Sequence, residues 1–509
     1  MQRKLASFER GVRVVSEYSG RYASWIIIAL GTALRFYKLA EPDFWYDEAF
    51  TGVALKERFS DMLVMIDKDV HPPLYYFAAK VFSEPFGYSV FGIRLFSLIF
   101  GVLGIWGIYL FAKELIDRKT ALYAALIVAV SPFAVQYSQE ARMYAMLSCL
   151  LVFAAYFFIR GIKTGKRTYF AAWGVLLGIS FLTHYLAIVF SPLFYAVAIV
   201  RRMSQNPGWY RTRSGLMKPF VGDWNILLGY VLSVLVFSPW ITKFVGHITA
   251  SDLDWIKPAK LSDIFLNLQI FLVGIPRGRY AGMPSPSVVA GFDNSTMYLL
   301  LAVFVVFVVI RVWRIDRQAT SVLLVLSLGF MLILVGLSIV GEHYLVARYV
   351  IPAAYFLYIL LGFWLSRLSL RKSTVALSTY VLILLLITPP GYSTGYNQIF
   401  ANLSKYDGKT IYVLNSFDYV IAKYYFGPDR LVLFNIDWPQ YDSSIWAAIG
   451  GARFRKVVDF DVLKNDPNGI IIYNTKVDYA NRSDKSFNPT RFPIFDAYDN
   501  MSVYRSVPK

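Results

Sequence analysis

Two adjacent carboxylates, Asp47 and Glu48, stand in the stretch DFWYDEAFT, directly after the first long apolar segment of this 509-residue chain. Aromatic side chains flank the pair on both sides, among them Trp45 and Phe50. Ionisable groups at the end of a membrane helix are costly unless they are solvated or paired, so this pair indicates a functional site. A carboxylate held there can take a proton from an attacking hydroxyl group.

Other candidates for chemistry recur in short motifs along the chain. In DVHPPLYYF, two prolines are expected to hold His71 at a rigid turn or a helix start. Asp69 and His71 are also candidate metal ligands, but two ligands at this spacing are a weak signal and metal binding stays open. The remaining motifs contain Gln139, Glu140 and Arg142 in SQEARMY, His184 and Tyr185 in THY, and His343, Arg348 and Tyr349 in GEHYLVARY.

The composition defines what kind of chain carries these motifs. It is 57% hydrophobic and only 17% charged, with a mean hydropathy of +0.48, which indicates an integral membrane protein. A single cysteine, Cys149, excludes an intramolecular disulfide and a cysteine-based metal site. The net charge of +18 is spread over short loops, so it indicates membrane orientation rather than nucleic-acid binding.

Apolar segments long enough to cross a bilayer recur eleven times, which predicts a polytopic α-helical membrane protein of about 11 transmembrane helices. The expected crossings are 22–39, 88–112, 120–136, 143–160, 168–182, 184–200, 223–243, 296–312, 320–340, 347–366 and 374–390. With a cytoplasmic N-terminus, every expected inner segment is rich in Lys and Arg, as the positive-inside rule requires. All the motifs above then lie on the outer face, and so do all four histidines.

The pattern changes after residue 390. Residues 391–509 contain no spanning run; short β-like stretches at 410–415, 430–435 and 469–474 alternate with helix-like segments at 416–426 and 442–450. This predicts a small extracytoplasmic α/β domain. The expected organisation is a membrane domain over 1–390, whose outer loop 40–87 carries the acidic pair, followed by the C-terminal domain over 391–509.

An outer cavity with a carboxylate, arginines and aromatic rings suits one kind of reaction. Arginines can neutralise a departing phosphate through charge-assisted hydrogen bonds, and aromatic rings suit sugar faces. Because no nucleotide triphosphate is expected outside the cell, the donor would be a sugar attached to a lipid phosphate. The sequence therefore favours sugar transfer at the outer membrane surface.

The chain resembles GT-C superfamily glycosyltransferases of the dolichyl-phosphate-mannose protein mannosyltransferase type (family 39), a group that includes the lipid A aminoarabinose transferase. The resemblance runs over roughly residues 20–365. Its motifs are WYDEAF, DVHPPLYYF, YSQEARMYAML, the HY pair after the fifth crossing and ARYVIPAAYF, in this order. It implies the GT-C fold, a polyprenyl-phosphate sugar as donor and an inverting transfer.

The resemblance also implies roles for the motif residues. Asp47 would be the general base, and Glu48 its catalytic neighbour, orienting the acceptor or tuning the base. Arg142 and Arg348 would contact the carrier phosphate, and His71 would have a role at the same phosphate. The rest of the donor site would comprise Tyr75, His184, Tyr185 and Tyr349, supported by Asp69, Gln139, Glu140 and His343.

Two other classes of protein share parts of this pattern. A lipid-linked sugar flippase or transporter would also have many crossings, but carriers usually place charges near the midplane and show paired repeats. A binding protein with a membrane anchor would need one crossing only. The sugar, the undecaprenyl or dolichyl carrier, the protein, lipid or glycan acceptor, and any divalent metal stay open. The expected location is the plasma membrane of a bacterium or archaeon.

Overall fold

The computed structural model describes residues 22–69, 71–205, 224–250, 259–274, 294–340, 344–387, 399, 402–413, 416–434, 456–457, 465–474, 494–498 and 501–505. The chain divides into two compact units. We call them the helical unit (Met1–Tyr37, Ser97–Pro276 and Ala281–Pro389) and the mixed unit (Lys38–Phe96, Arg277–Tyr280 and Pro390–Lys509). The predicted outer loop 40–87 thus shares a unit with the C-terminal stretch.

The helical unit consists of apolar helices. Within the described residues, five helices are long and apolar enough to cross a membrane, and a bent pair would make six. The five are Val90–Leu115, Tyr144–Thr164, Leu186–Gln205, Trp224–Ile248 and Arg317–Ile339, and the first of them begins in the mixed unit. Further helices are Tyr22–Phe36, Arg167–Thr183, Ser262–Val273, Asn294–Trp313, Ile351–Ser366 and Leu370–Ile387.

A buried arginine forms hydrogen bonds to the backbone at the bend between these two helices. Helices Arg118–Val130 and Pro132–Ser138 meet at 63°. Pro132 has no N–H group, so it cannot donate to the carbonyl of Val128 four residues before it. Arg35 is fully buried and its guanidinium donates to the carbonyls of Val128 and Ala129, both at 3.1 Å. It also donates to Ser138 Oγ at 3.0 Å, which ties the first helix to both halves of the bend.

A close helix crossing supports the segment that carries His184. Helix Arg167–Thr183 packs on Trp224–Phe237 at two facing glycines, Gly174 and Gly229. A Cβ atom on Gly174 would lie 2.2 Å from the carbonyl oxygen of Gly229, so only glycine permits this approach. The indole of Trp173 fills the space beside Gly229 and is fully buried.

The mixed unit contains three short helices from the predicted outer loop 40–87: Tyr46–Lys56, Phe59–Lys68 and Leu74–Ser83. Its C-terminal part contributes helix Ser416–Phe426 and a six-stranded sheet. The strands are β1 (Ile411–Val413), β2 (Leu431–Phe434), β3 (Lys456–Val457), β4 (Ile470–Asn474), β5 (Ile494–Tyr498) and β6 (Met501–Arg505). The strand order is β3-β2-β1-β4-β6-β5, with the first four parallel and β6 antiparallel to both neighbours.

The core of this sheet follows from its sequence. β1, β2 and β4 are short apolar runs, and their described side chains are buried, as expected for parallel strands covered on both faces. Ile411 is paired with Leu431 on one side and with Ile470 on the other. The β-like stretches in the sequence and the helix-like segment at 416–426 coincide with these elements, and the segment at 442–450 lies outside the described residues.

Candidate active site

The acidic pair lies in the first turn of helix Tyr46–Lys56. Carboxylates are favourable at this position because the helix N-terminus carries a partial positive charge, and Lys56 stands in the last turn, where a cation is favoured. The two neighbours differ in exposure: Glu48 is only 2% exposed, whereas Asp47 is half-buried. Their side chains therefore occupy different environments although they are adjacent in sequence.

Arg94 accounts for the burial of Glu48. Its Nε and Nη2 donate to the two carboxylate oxygens of Glu48 at 2.8 and 2.7 Å. The remaining N–H groups donate to the carbonyls of Leu39 at 3.0 Å, Pro42 at 2.7 Å and Asp43 at 3.0 Å. All five guanidinium donors are thus engaged. Arg94 fixes the turn that leads into the helix and neutralises the buried carboxylate, which would otherwise be costly.

Asp69 and His71 form a second polar group in the mixed unit. Nδ1 of His71 lies 2.9 Å from Asp69 Oδ2, and the hydroxyl of Tyr76 donates to the same oxygen at 3.3 Å. An imidazole that donates from Nδ1 to a carboxylate presents Nε2 as its acceptor or ligand atom, although the tautomer is inferred from the hydrogen bond. Helix Leu74–Ser83 begins directly after Pro73, as the paired prolines predict.

Tyr75 is fully buried between the rings of Tyr76, at 6.0 Å, and Phe96, at 5.5 Å. It therefore packs the helix that follows His71. In the described part of the chain, no three His, Cys, Asp or Glu residues are grouped so that they could hold a metal ion.

In the helical unit, the motif SQEARMY forms a non-helical turn between helices Pro132–Ser138 and Tyr144–Thr164. The amide of Gln139 donates to the carbonyls of Arg35 at 3.0 Å and Tyr37 at 2.8 Å. Gln139 therefore provides hydrogen-bond donors for carbonyls at the C-terminal end of helix Tyr22–Phe36. Glu140 and Arg142 are both buried. The backbone carbonyl of Arg142 accepts from Ser97 Oγ at 3.3 Å, and its N–H donates to the carbonyl of Glu140 at 2.8 Å.

His184, Arg348 and Tyr349 come together in the helical unit. The ring centroid of His184 lies 5.3 Å from that of Tyr349 and 5.9 Å from that of Tyr144. The guanidinium of Arg348 is 5.6 Å from the centroid of Tyr349, a cation–π distance. Nδ1 of His184 accepts from the N–H of Leu186 at 3.2 Å, which orients the imidazole at the break after Thr183. Arg348 is thus a buried cation beside the ring of Tyr349, and that ring packs against His184.

Tyr185 lies in a different environment from its neighbour His184. Its hydroxyl lies 2.8 Å from Nδ1 of His247 and accepts from the indole N–H of Trp240 at 2.9 Å. Its ring packs on Phe244 at 4.8 Å. The helix break between Thr183 and Leu186 turns the two side chains to different sides, so Tyr185 contacts the helices after residue 224.

Sequence reasoning missed Arg94, Arg35 and Tyr144. Each arginine interrupts or ends an apolar run, and the cost of burying a charge predicts a partner for it. That signal was available from the sequence, but the identity of the partner was not. Tyr144 belongs to the motif that carries Arg142. Its side chain is buried, with only 1% exposed. The predicted site residue His343 lies outside the described residues.

Comparison with known proteins gives one family match and one curated relative. Residues 70–242 match the family of dolichyl-phosphate-mannose-protein mannosyltransferases. YycA of Bacillus subtilis (strain 168), whose description as a mannosyltransferase is provisional, is 25% identical over 139 residues. These cover 26% of this chain and 20% of YycA, so the matched stretch spans about a fifth of that relative.

Among solved structures, ArnT from Cupriavidus metallidurans has the same fold over nearly the whole chain. Its apo structure superposes with a TM-score of 0.62 at 14% identity, covering 95% of this chain and 97% of ArnT. Its structure bound to undecaprenyl phosphate gives a TM-score of 0.60 at the same identity and coverage. At this identity the likeness shows the fold. Together with the family match, it confirms the resemblance to GT-C glycosyltransferases, and the chain has a multi-helix membrane fold of that class.

Proposed function

We propose that this protein is an inverting membrane glycosyltransferase that moves a sugar from a polyprenyl phosphate to an acceptor hydroxyl outside the cytoplasm. The observation that carries the proposal is the half-buried Asp47 on a helix start that Arg94 fixes with five hydrogen bonds. The family match over 70–242 and the fold of ArnT support the same class of reaction. ArnT was solved with undecaprenyl phosphate, which supports a polyprenyl phosphate as carrier.

In the proposed reaction, Asp47 is the general base. Its carboxylate takes the proton of the acceptor hydroxyl while the hydroxyl oxygen forms a bond to the anomeric carbon of the donor sugar. The bond from that carbon to the phosphate oxygen breaks, and its electron pair leaves with the polyprenyl phosphate. Attack from the face opposite the phosphate inverts the anomeric configuration. Glu48, fully paired with Arg94, orients Asp47 through the backbone they share.

The leaving phosphate needs positive charge. We assign this role to Arg142 and Arg348, since charge-assisted hydrogen bonds from guanidinium groups match phosphate geometry and stabilise developing charge. His71 is assigned a contact with the same phosphate through Nε2, with Asp69 orienting its ring. His184, Tyr144 and Tyr349 are proposed to bind the donor beside Arg348. Gln139 and Glu140 support the turn that carries Arg142.

The proposal includes the arrangement in the membrane. In this arrangement the chain crosses the membrane eleven times and its N-terminus is cytoplasmic. The active site and the C-terminal domain both lie outside the cytoplasm. The basic residues in the expected inner loops support it. The plasma membrane of a bacterium or archaeon is the expected location.

Purified protein in nanodiscs would be incubated with a panel of radiolabelled polyprenyl-phosphate sugars, with and without a membrane extract as acceptor. Asp47→Asn would be compared with wild type, and Asp61→Asn is a matched control because Asp61 also lies in the first turn of an outer-loop helix but is exposed. We expect transfer or slow hydrolysis of one donor, lost in Asp47→Asn and retained in Asp61→Asn.

Near-normal turnover by Asp47→Asn would refute the base assignment. Movement of a labelled donor across a liposome bilayer without its consumption would instead identify a lipid-linked sugar flippase and refute the transferase.

A further inference from the structure

The C-terminal helix Ser416–Phe426 packs directly on the helix that carries the acidic pair, within the mixed unit. The ring of Tyr424 lies 4.7 Å from that of Phe44, just before the helix start. Gly52 is in the middle of helix Tyr46–Lys56, and a Cβ atom there would lie 2.5 Å from the Tyr424 ring. The two helices therefore approach so closely that Gly52 has no room for a side chain.

A hydrogen bond connects the same helix to the backbone that leads into the acidic pair. The N–H of Phe44 donates to the hydroxyl of Tyr425 at 3.1 Å. Phe44 is fully buried, and a buried N–H needs an acceptor. Burial raises the pKa of Tyr425, so the hydroxyl stays protonated and neutral. This bond fixes the chain three residues before Asp47, next to the carbonyl of Asp43 that Arg94 holds.

The opposite end of the helix is fixed as well. Nζ of Lys56 donates to the carbonyl of Tyr424 at 2.7 Å and lies 3.9 Å from the centroid of its ring. Nζ of Lys423 forms an ion pair with Glu57 at 2.7 Å, and the lysine side chain is only 4% exposed. Contacts at both ends and in the middle define the position of the helix along its whole length.

We propose that helix Ser416–Phe426 is a positioning element for sugar transfer, with Tyr425 as its positioning residue. This inference rests on the proposed function, in which Asp47 is the base. A general base must lie within hydrogen-bond reach of the proton it takes, so a small displacement of the helix start lowers the rate of proton transfer. Donor binding does not depend on that displacement. The C-terminal domain thereby acts on turnover without touching the donor.

The test compares Tyr425→Phe with Tyr412→Phe in the full-length protein. Each variant removes one hydroxyl; that of Tyr412 donates to Asp466 at 3.0 Å and reaches no residue of the outer loop through that bond. Turnover and donor KM are measured with the active polyprenyl-phosphate sugar, and hydrogen–deuterium exchange is followed at the Phe44 amide. For Tyr425→Phe we expect faster exchange at Phe44 and a kcat lower by about three- to tenfold, the size of one hydrogen bond, at unchanged donor KM.

Tyr412→Phe is expected to leave both quantities at wild-type values. Unchanged exchange at Phe44 in Tyr425→Phe would overturn the proposal, because the hydroxyl would then not hold this segment. Faster exchange with unchanged kcat would overturn the positioning role as well. A wild-type protein that transfers no sugar from any donor overturns the proposed function and the catalytic role of Tyr425 with it, whereas the exchange rate at Phe44 still reports whether the contact exists.

Discussion

Arg94 in the mixed unit and Arg348 in the helical unit are both buried, but their contacts differ. In the mixed unit, all five N–H groups of Arg94 donate to Glu48 and to three backbone carbonyls, so no donor is left for a substrate. In the helical unit, the guanidinium of Arg348 lies 5.6 Å from the centroid of the Tyr349 ring, a cation–π distance. The first arrangement shapes a backbone turn, and the second is the one that we propose for the donor site.

This difference separates the expected effects of substitution. Variants in the mixed unit that disturb Asp47 or its support are expected to lower kcat, because they change proton removal from the acceptor. Variants at Arg142 and Arg348 are expected to weaken donor use, because they remove the proposed contacts to the carrier phosphate. An effect of the wrong kind in either unit would contradict the division of roles.

The largest expected effect is that of Asp47→Asn. The amide cannot take a proton, and general-base catalysis contributes about 10²- to 10⁴-fold, so kcat should fall by that factor. The affinity for undecaprenyl phosphate, measured by titration in nanodiscs, should stay within about twofold of wild type because a general base does not hold the carrier. Loss of carrier binding in this variant would contradict the assignment of Asp47 as a base that does not hold the carrier.

Arg94→Met is expected to act mainly on stability. Removing one partner of a buried ion pair leaves the carboxylate of Glu48 uncompensated, which costs about 3–5 kcal/mol. The apparent unfolding temperature in detergent should fall accordingly. The double variant Arg94→Met/Glu48→Met should recover the part of the loss that comes from the uncompensated carboxylate, since well-packed apolar pairs replace buried ion pairs at little cost.

Activity distinguishes the roles of the pair. In the double variant the carbonyls of Leu39, Pro42 and Asp43 still lack their donor, so kcat should stay below that of wild type although the protein is folded. Wild-type turnover in the double variant would show that neither Glu48 nor the turn matters for the position of Asp47.

Local signals in the sequence predicted the elements well. Paired prolines gave the start of the helix at Leu74, and apolar runs gave the strands β1, β2 and β4 close to their observed bounds. These features depend on neighbours within a few residues, where proline geometry and hydrophobic pattern act directly. The rings of His184 and Tyr349 pack against each other in the helical unit, and the role of these residues at a donor stays a prediction.

Contacts between distant segments could not be predicted in the same way. Glu48 and Arg94 are 46 residues apart, and Phe44 and Tyr425 are 381 residues apart, and nothing in either local sequence specifies the partner. Composition indicates a boundary near 390 but does not say which earlier segment packs on the C-terminal domain. Adjacent residues can also have different environments that the local sequence does not predict. His184 and Tyr185 are an example, because the helix break separates their contacts.

Arg142→Ala and Arg348→Ala are expected to weaken donor use. A hydrogen bond to a charged group contributes about 1.5–3 kcal/mol, so each variant should lower carrier affinity by roughly 10- to 100-fold with stability little changed. Arg367→Ala is the matched control for Arg348: it stands at the other end of helix Ile351–Ser366 and is exposed. Unchanged donor KM and kcat in both test variants would argue against phosphate contacts from the helical unit.

The smallest effect expected is that of Gly52→Ala, and its sign is informative. Alanine is the better helix former by about 0.5–1 kcal/mol, so helix propensity alone predicts stabilisation. The added Cβ would lie 2.5 and 2.6 Å from atoms of the Tyr424 ring, whose hydroxyl donates to the carbonyl of Tyr88 at 3.0 Å and limits its retreat. Overpacking of this kind costs about 1–3 kcal/mol, so we expect net destabilisation and a kcat lower by a few-fold.

Gly336→Ala is the control for this substitution, because helix Phe330–Val340 leaves open space around Gly336 and only the propensity gain applies. The measurement is the shift in apparent unfolding temperature, taken for both variants in the same detergent. Shifts of opposite sign in the two unfolding temperatures would mean that the contact between Gly52 and Tyr424 holds helix Tyr46–Lys56 in place. A gain in stability at both glycines would mean that the two helices of the mixed unit can separate without cost, and the C-terminal helix could then not position Asp47.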